Sequence, residues 1–262
     1  MQLTGARIVL TGATGGLGEA LARALAKKGA VLLLTGRDPD KLARLQMPAG
    51  SDYRLLQADL GTSVGIDEIV AAAQQFEADM LINNAGVGGF GLLDEQDGKE
   101  IERILRTNLE APIQLTRSLL PQLRMRPAAA VVNIGSAFGS IPFAGFAAYS
   151  AAKAGLRGFS QALRRELADS RVEVFHIAPR AIDTPLNSPA VNALNQALGN
   201  ASDSPEKVAA AIVDLLACCA RERVLGFPER LFAWLNGLAP ALVDGGVKGK
   251  LAVIKRHAAK KI

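Results

Sequence analysis

The sequence predicts an α/β protein with a doubly wound parallel sheet. A single domain is expected at residues 1–226, followed by a helical, basic C-terminal appendage at residues 227–262. Three observations carry this prediction: short apolar runs alternate with helical stretches, a glycine-rich turn follows the first apolar run, and bases gather at the C terminus. The 262 residues, of which 49% are hydrophobic, are enough for one large domain with a sizeable core.

Six short apolar runs are expected to form the strands. They are RIVL (7–10), VLLLT (31–35), YRLLQ (53–57), DMLIN (79–83), AVVNIG (130–135) and VEVFHIA (172–178). The first helical stretch between them covers residues 16–28, where apolar residues recur on one helical face. Strands separated in this way by helices run parallel, with helices on both faces of the sheet.

Charge and composition argue against several classes of protein. The net charge is +5, but residues 245–262 contain six bases and no acid, so the remainder has 24 Lys+Arg against 25 Asp+Glu. The basic character therefore belongs to the appendage and does not indicate a general nucleic-acid surface. No apolar run reaches the ~20 residues of a membrane helix. No cluster of Cys, His and carboxylate residues predicts a metal site.

The expected location is the cytoplasm. The two cysteines, Cys218 and Cys219, are adjacent and therefore poorly placed for a disulfide, which fits a reducing compartment. The stretch MQLTGARIVL runs directly into the first strand, so no signal peptide is expected.

The turn after the first strand reads TGATGGLG at residues 11–18. Gly12, Gly16 and Gly18 let the backbone turn tightly and come close to a ligand. The helix N-terminus behind them offers N–H groups that suit a pyrophosphate, which predicts a Rossmann-type dinucleotide site. A Lys-Ser/Thr pair typical of nucleoside-triphosphate loops does not follow. The alternative is a tight turn without a ligand.

Tyr149 and Lys153 stand one helical turn apart in GFAAYSAAKAGLRGF (145–159), and Tyr149 is one of only two tyrosines. Residues i and i+4 share a helix face, so the ammonium is expected beside the phenol. A free phenol has a pKa of ~10, and a nearby ammonium is expected to lower it toward a value useful for acid–base catalysis. The alternative is an ordinary surface pair.

The chain resembles the short-chain dehydrogenase/reductase family over most of residues 5–220. The resemblance rests on TGxxxGxG, on NNAG at 83–86, and on the spacing of three residues. Tyr149 follows Ser136 by thirteen residues, and Lys153 follows Tyr149 by four. It implies a nicotinamide-dependent oxidoreductase of carbonyls or alcohols, with Asn108, Ser136, Tyr149 and Lys153 as the catalytic residues. The cofactor contacts it implies are Gly12, Thr14, Gly16, Leu17, Gly18, Arg37, Asp59, Leu60, Asn84, Ala85, Gly86, Tyr149, Lys153, Pro179, Ile182 and Thr184.

The catalytic roles follow from the side-chain chemistry and the resemblance. The Ser136 hydroxyl is suited to hold a substrate oxygen, and Tyr149 to pass a proton to or from it. By resemblance, Lys153 also holds the nicotinamide ribose. Pro112 has no N–H, so the carbonyl of Asn108, four residues earlier, loses its helical partner. In the family this carbonyl binds a water that links the lysine to solvent.

Cofactor choice depends on the end of the second strand, which reads TGRDPD. Arg37 is expected to bind a 2′-phosphate, so NADP(H) is predicted in preference to NAD(H). Asp38 has two possible roles. It could serve the cofactor ribose, or it could cap the helix that starts near Pro39.

Two basic side chains, His176 and Arg180, lie in the sixth strand and just after it. Arg180 stands where the family usually has glycine, so the loop shape there is open, and its side chain is expected to point to solvent. His176 lies inside an apolar strand and is expected to be a satisfied core residue with no role as ligand or base.

The substrate is expected to be an apolar or aromatic carbonyl or alcohol. Phe90, Phe138, Phe143 and Phe146 lie in segments that should flank the catalytic residues, and no Lys or Arg occurs between Ala181 and Glu206. The alternative is that these phenylalanines pack in the core. The resemblance implies a homodimer or homotetramer. A rival function is a catalytically weak, cofactor-binding sensor or scaffold, possibly associated with a membrane.

The appendage predicts an amphipathic helix. Val247, Leu251, Ile254, Ala258 and Ile262 form one apolar stripe, with most of the bases elsewhere on the helix. Such a helix could lie on the inner face of an anionic membrane, pack on a partner subunit, cover the substrate cleft or remain a solvated tail. The preceding apolar run, residues 231–243, is too short to span a bilayer.

Overall fold

The computed structural model describes residues 2–258, which contain one seven-stranded parallel sheet. The strands are β1 (Arg7–Leu10), β2 (Val31–Gly36), β3 (Tyr53–Gln57), β4 (Met80–Asn83), β5 (Ala129–Ile134), β6 (Val172–Ala178) and β7 (Glu222–Val224). Their order across the sheet is β3-β2-β1-β4-β5-β6-β7. The predicted fold class is confirmed, and the first six strands lie where the apolar runs placed them. The edge strand β7 was not predicted.

Helices connect the strands and cover the sheet. They are α1 (Gly16–Lys27), α2 (Pro39–Ala43), α3 (Ser63–Gln75), α4 (Gly98–Leu105), α5 (Ala111–Met125), α6 (Ala147–Glu166), α7 (Pro189–Ala197), α8 (Pro205–Ala217), α9 (Glu229–Leu238), α10 (Pro240–Lys248) and α11 (Leu251–Ala258). A π-helical turn, Arg106–Glu110, joins α4 to α5, and a 3-10 turn, Ala137–Gly139, follows β5.

The two faces of the sheet carry separate apolar layers. In β1, Ile8 and Leu10 pack toward α1 and α8, whereas Val9 packs toward α3 and α5. This alternation follows from the two-residue period of a strand. Both layers are buried, and the central strands are therefore apolar on both faces. Because the strands are parallel, their carboxyl ends meet at one edge of the sheet, where the loops gather.

A buried chain of polar side chains ties α6 to the sheet. Asn83 Nδ2 donates to Asn133 Oδ1 at 2.8 Å, and Asn133 Nδ2 donates to Ser160 Oγ at 2.9 Å. These hydrogen bonds join β4, β5 and α6 within the protein interior, where unpaired amides would be costly. They fix the position of the helix that carries Tyr149.

The prediction of one continuous helix through the stripe residues 247–262 is wrong. The helical conformation is interrupted between α10, which ends at Lys248, and α11, which begins at Leu251. Within α11, Ile254 and Ala258 are buried. The last stripe residue, Ile262, and the bases Lys260 and Lys261 lie outside the described residues.

Ile254 packs in one cluster with Phe146 and Leu194, so this part of the stripe packs on the protein near the predicted catalytic residues. Of the four alternatives for the stripe, the structure favours packing over the cleft. Between residues 2 and 258, no helix combines the length and apolarity that crossing a bilayer requires.

His176 is a buried histidine of β6 whose pKa is displaced. As predicted it lies in the core, but its Nε2 is buried without a hydrogen-bond partner among the described residues, so it is not fully satisfied. A Cβ on Gly135 would collide with this ring, which shows how closely β6 and the end of β5 pack there. Burial lowers the pKa of His176 to about 4, although nearby Glu222 acts in the opposite direction.

We expect His176 to make the protein less stable in mild acid. Its pKa is lower in the folded state than in the unfolded state, so the unfolded chain binds the proton first as the pH falls. Stability should therefore be lost between about pH 6.5 and about pH 4, by roughly 2–3 kcal/mol. His176→Gln should lack this component. Urea unfolding of both proteins at about pH 7 and about pH 4.5 measures the difference. Parallel pH dependences would contradict the assignment.

Candidate active site

The glycine turn between β1 and α1 forms a cradle that side chains would fill. Gly12 has φ +66°, and a Cβ added to it would lie 2.7 Å from the Cα of Ala85. A Cβ on Gly18 would collide with the Gly12 carbonyl, and one on Gly16 would lie 2.7 Å from Thr184 Cγ2. The N-cap of α1, Gly15, supplies no side-chain cap. Backbone N–H groups at this helix end are therefore accessible to an anionic group.

The NNAG turn after β4 is held against this cradle by Thr11, which the sequence did not single out. Its buried hydroxyl accepts hydrogen bonds from the backbone N–H groups of Asn84 at 3.0 Å and Ala85 at 3.1 Å. The Asn84 side chain donates to the carbonyls of Thr11 at 2.9 Å and Gly12 at 3.2 Å. The two turns thus form one rigid wall of the cleft.

The end of the cleft beside β2 carries positive charge. Arg37 is exposed and lines the cleft together with Lys41, which the sequence analysis missed although it lies in the first turn of α2. Of the two roles open to Asp38, the structure shows helix capping, with its carboxylate accepting from the N–H of Lys41 at 3.1 Å. Asp59 also lines this end, and its Oδ1 accepts from the N–H of Gly61 at 2.8 Å.

Ser136, Tyr149 and Lys153 converge at the carboxyl end of β5. Ser136 lies two residues beyond the strand and caps the following 3-10 turn, with Oγ accepting from the N–H of Phe138 at 3.2 Å. Lys153 is buried, and its Nζ donates to the carbonyl of Ile134 at 2.9 Å. The same Nζ lies 5.9 Å from the centre of the Tyr149 ring.

Burial dominates the protonation of this pair. It raises the pKa of Tyr149 above its ordinary value of 10.0, and a hydrogen bond with Ser136 offsets this rise only in part. The expected lowering by Lys153 is therefore not observed. Burial also lowers the pKa of Lys153 itself to about 8. Lys153 is buried and Tyr149 is half-buried at the cleft wall, and the loss of water disfavours the charged form of each group.

Asn108 lies in the π-helical turn, behind the cleft wall. Its side-chain amide forms two hydrogen bonds with the backbone of Val87: Oδ1 accepts from the N–H at 2.9 Å and Nδ2 donates to the carbonyl at 2.8 Å. A Cβ on Gly86 would lie 3.0 Å from Asn108 Oδ1 and 3.8 Å from Lys153 Nζ, so the three residues adjoin. Pro112 follows in the first turn of α5, as the argument for a freed Asn108 carbonyl requires.

Four phenylalanines surround the Tyr149 side of the cleft. Phe138 stacks on Phe143 with ring centres 5.3 Å apart, and Phe146 lies 4.9 Å from both Phe90 and Phe138. The Phe146 ring is 6.3 Å from that of Tyr149. All four line the cleft, and Phe146 is also buried, so the pocket and core interpretations both hold.

Arg180 does not point to solvent, which corrects the sequence expectation. Its guanidinium binds the buried carboxylate of Asp203 through two hydrogen bonds, at 2.7 and 3.0 Å, and approaches Glu229 at 3.6 Å. Arg180 therefore links the end of β6 to both the α7–α8 loop and the first turn of α9. The non-glycine residues with positive φ in the described chain are Glu77 and Cys219, so Arg180 has an ordinary backbone conformation.

The cleft brings together all the predicted site residues except Asn108, which lies behind its wall. Pro179, Ile182 and Thr184, which are predicted cofactor contacts, line it after β6. Its volume is about 1400 Å³, more than the roughly 300–1,000 Å³ of a typical single-ligand pocket. A dinucleotide fits this combination of glycine cradle, uncapped helix end and basic end. Sequence reasoning missed the part of the lining contributed by α9, because no local pattern marks it. For the stripe that includes Val247 of α10, covering the cleft was one of four alternatives.

The comparisons with known proteins agree with this architecture. A family model described as short chain dehydrogenase matches residues 6–195. Nodulation protein G of Rhizobium sp. (strain N33) is 36% identical over 188 residues, which cover 70% of this chain and 76% of that protein. NADP-dependent 3-hydroxy acid dehydrogenase YdfG of Salmonella typhi is 35% identical over 175 residues, covering 66% and 71%. A metagenomic short-chain oxidoreductase in complex with NADP superposes with a TM-score of 0.71 at 31% identity, covering 86% of this chain and 98% of that one.

We expect Arg180→Ala to lower the free energy of unfolding by about 3 kcal/mol, because it leaves the buried Asp203 carboxylate with Lys207 as its remaining ionic partner. Arg180→Lys should lose less, since it keeps the charge but not the paired hydrogen bonds. The exposed Arg165→Ala serves as control and should change stability by less than about 0.5 kcal/mol. Urea unfolding measures all three. Equal effects for Arg180→Ala and Arg165→Ala would show that the network is not stabilising.

Proposed function

The chain belongs to the short-chain dehydrogenase family and is an oxidoreductase, and we propose that it transfers a hydride between NADP(H) and an apolar or aromatic carbonyl or alcohol. The observation that carries this proposal is the convergence of Ser136, Tyr149 and Lys153 beside a glycine-lined cradle at one end of the sheet. A hydroxyl donor, a phenol and a buried ammonium beside a dinucleotide site are the groups that carbonyl reduction requires.

In the reductive direction, Ser136 donates a hydrogen bond to the substrate oxygen and holds the carbonyl carbon toward the cofactor side of the cleft. Tyr149 donates its proton to the same oxygen as negative charge develops there. The raised pKa of Tyr149 suits this step, because the phenol stays protonated until the oxygen takes its proton. The nicotinamide, when bound, supplies the hydride. Lys153 holds the cofactor ribose and stabilises the phenolate that Tyr149 leaves.

The proton lost by Tyr149 must be replaced from solvent. Lys153 lies next to Asn108 and Gly86, and Pro112 removes the N–H that would otherwise occupy the Asn108 carbonyl. We assign this carbonyl as the anchor of a water that connects Lys153 to solvent. The two hydrogen bonds between the Asn108 side chain and the Val87 backbone support the assignment, since they hold the turn in place beside Lys153.

The NADP(H) preference rests on Arg37 and Lys41 at the basic end of the cleft. Two cations beside a ribose suit a 2′-phosphate. Asp38, the acid adjacent to Arg37, caps α2 and lies 3.8 Å from the ammonium of Lys41. The Salmonella relative is named an NADP-dependent enzyme, and the metagenomic structure contains NADP, which supports the same preference here.

The assembly and location of the protein are further proposals. We assign it to the cytoplasm. We also propose that it forms a homodimer or homotetramer, and light scattering measures this oligomeric state. Peripheral membrane contact would have to use another surface than the buried part of the predicted stripe, Ile254 and Ala258. Leu231, Trp234 and Leu238 of α9 are among the exposed apolar side chains that could provide it. Sedimentation with anionic liposomes at low salt separates membrane contact from its absence.

A scaffold without catalysis is the rival function, and NADPH binding without turnover across a panel of carbonyls would favour it.

Tyr149→Phe should reduce turnover by about 10²–10⁴-fold and leave NADPH binding nearly unchanged, because the ring remains and the proton donor is lost. The matched control is Tyr53→Phe, the other tyrosine, which lies on the edge strand β3. Initial rates of NADPH oxidation and fluorescence titration of NADPH measure the two effects. Turnover near the wild-type rate in Tyr149→Phe would remove Tyr149 from the mechanism.

Arg37→Ala should weaken NADPH binding by about 1.5–3 kcal/mol, the range for a charged hydrogen bond, and leave NADH binding nearly unchanged. Arg44→Ala is the matched control, since Arg44 is exposed at the end of α2 and does not line the cleft. Calorimetric titration with both cofactors gives the comparison. If Arg37→Ala weakened NADPH and NADH binding equally, the residue would be structural and the assigned preference would be wrong.

A further inference from the structure

The C-terminal helices α9–α11 are fixed over the substrate end of the cleft by three separate contacts. Asn236 Nδ2 on α9 donates to the Ser140 carbonyl at 2.9 Å, just beyond the 3-10 turn that follows Ser136. Glu229 at the start of α9 pairs with Arg180. On α11, Ile254 is fully buried in the cluster that contains Phe146. The appendage is therefore part of the cleft and not a tail beside it.

The wall that the appendage adds to the cleft is apolar. Leu235 of α9 and Val243 and Val247 of α10 are half-buried and line the cavity. Phe232 and Leu242 also line it and are exposed, so they form its rim. The charged side chains that the described appendage contributes to the lining are Glu229, which is paired with Arg180, and the exposed Lys250.

This wall continues the aromatic cluster around Tyr149. The four phenylalanines line the cleft near the reacting position, and the leucine and valine side chains of α9 and α10 extend that apolar lining toward the rim. A short polar carbonyl would leave the extension in contact with water. An elongated apolar group would displace that water and gain free energy for each methylene it buries.

Resting on the proposed function, we propose that the substrate is a carbonyl or alcohol bearing an extended aliphatic chain, which lies along the wall formed by α9 and α10. The reacting oxygen is at Ser136 and Tyr149, and the chain runs past the phenylalanines to the rim at Phe232 and Leu242. The wall therefore determines which chain length is preferred, whereas Ser136 and Tyr149 act on the reacting oxygen.

A chain-length series tests the proposal: butanal, hexanal, octanal and decanal are compared by kcat/KM with NADPH. Each added methylene should raise kcat/KM by about two- to fourfold until the chain reaches the rim, as expected for about 0.8 kcal/mol per buried methylene at the upper limit. Calorimetric binding of the corresponding alcohols in the presence of NADP⁺ gives the same comparison without turnover. Values of kcat/KM and Kd that do not improve with chain length would overturn the proposal.

Two leucines of α9 provide a matched pair of variants. Leu235→Asp places a charge in the wall and should remove most of the gain from butanal to decanal. Leu238→Asp places the same charge on an exposed position that does not line the cleft, and should leave the whole series unchanged. If Leu235→Asp fails to fold, the exposed rim variant Phe232→Ala should reduce the decanal value more than the hexanal value. Equal effects of Leu235→Asp and Leu238→Asp on the series would also overturn the proposal.

Failure of this proposal is distinct from failure of the proposed function. If butanal is reduced with NADPH in a Tyr149-dependent reaction but longer chains give no gain, the function stands and the chain-length assignment is wrong. If no aldehyde is reduced but alcohol binding still strengthens with length in the protein and not in Leu235→Asp, the wall is correct and the catalytic function is wrong.

Discussion

Lys153 holds its ammonium against the Ile134 carbonyl inside the protein, and this contact fixes where α6 meets the end of β5. A buried ammonium is costly unless it is hydrogen-bonded, so the helix cannot move away from the strand without losing that bond. The close approach is possible because Gly139 has no side chain: a Cβ there would lie 2.8 Å from the Lys153 backbone carbonyl. The Asn83–Asn133–Ser160 hydrogen bonds secure the same helix further along. Tyr149 and Ser136 are brought together as a consequence.

The parts of this site that the sequence predicted are those set by short-range geometry. The glycine turn, the six apolar strands and the i, i+4 spacing of Tyr149 and Lys153 each depend on residues within one or two elements. The partners of Arg180 could not be predicted in this way. Asp203 lies 23 residues away on another loop, and no local pattern connects the two. Strand β7 was missed for a related reason, since three residues are too few to show a period.

The protonation of Tyr149 shows a second limit of sequence reasoning. The sequence gives the neighbours of a group but not the amount of water around it. A lysine one turn away was expected to lower the pKa of Tyr149, yet burial acts on both residues and is the larger effect. Asn108 shows the opposite case: Pro112 identified a break in the helical hydrogen bonding from sequence alone, and a π-helical turn is found there.

Arg180, which stands where the family usually has glycine, connects the segment that the family model covers to the C-terminal helices. The family model ends at residue 195, before α9 and α10 begin. The family model therefore covers the cofactor cradle and the catalytic residues but not the apolar wall that α9 and α10 add to the cleft. Arg180 joins the two parts, because its guanidinium binds Asp203 and also reaches Glu229 at the start of α9. A glycine could not hold the appendage in this way. Substrate preference should thus depend on the segment that the family pattern does not describe, fastened by the residue at which this chain departs from that pattern.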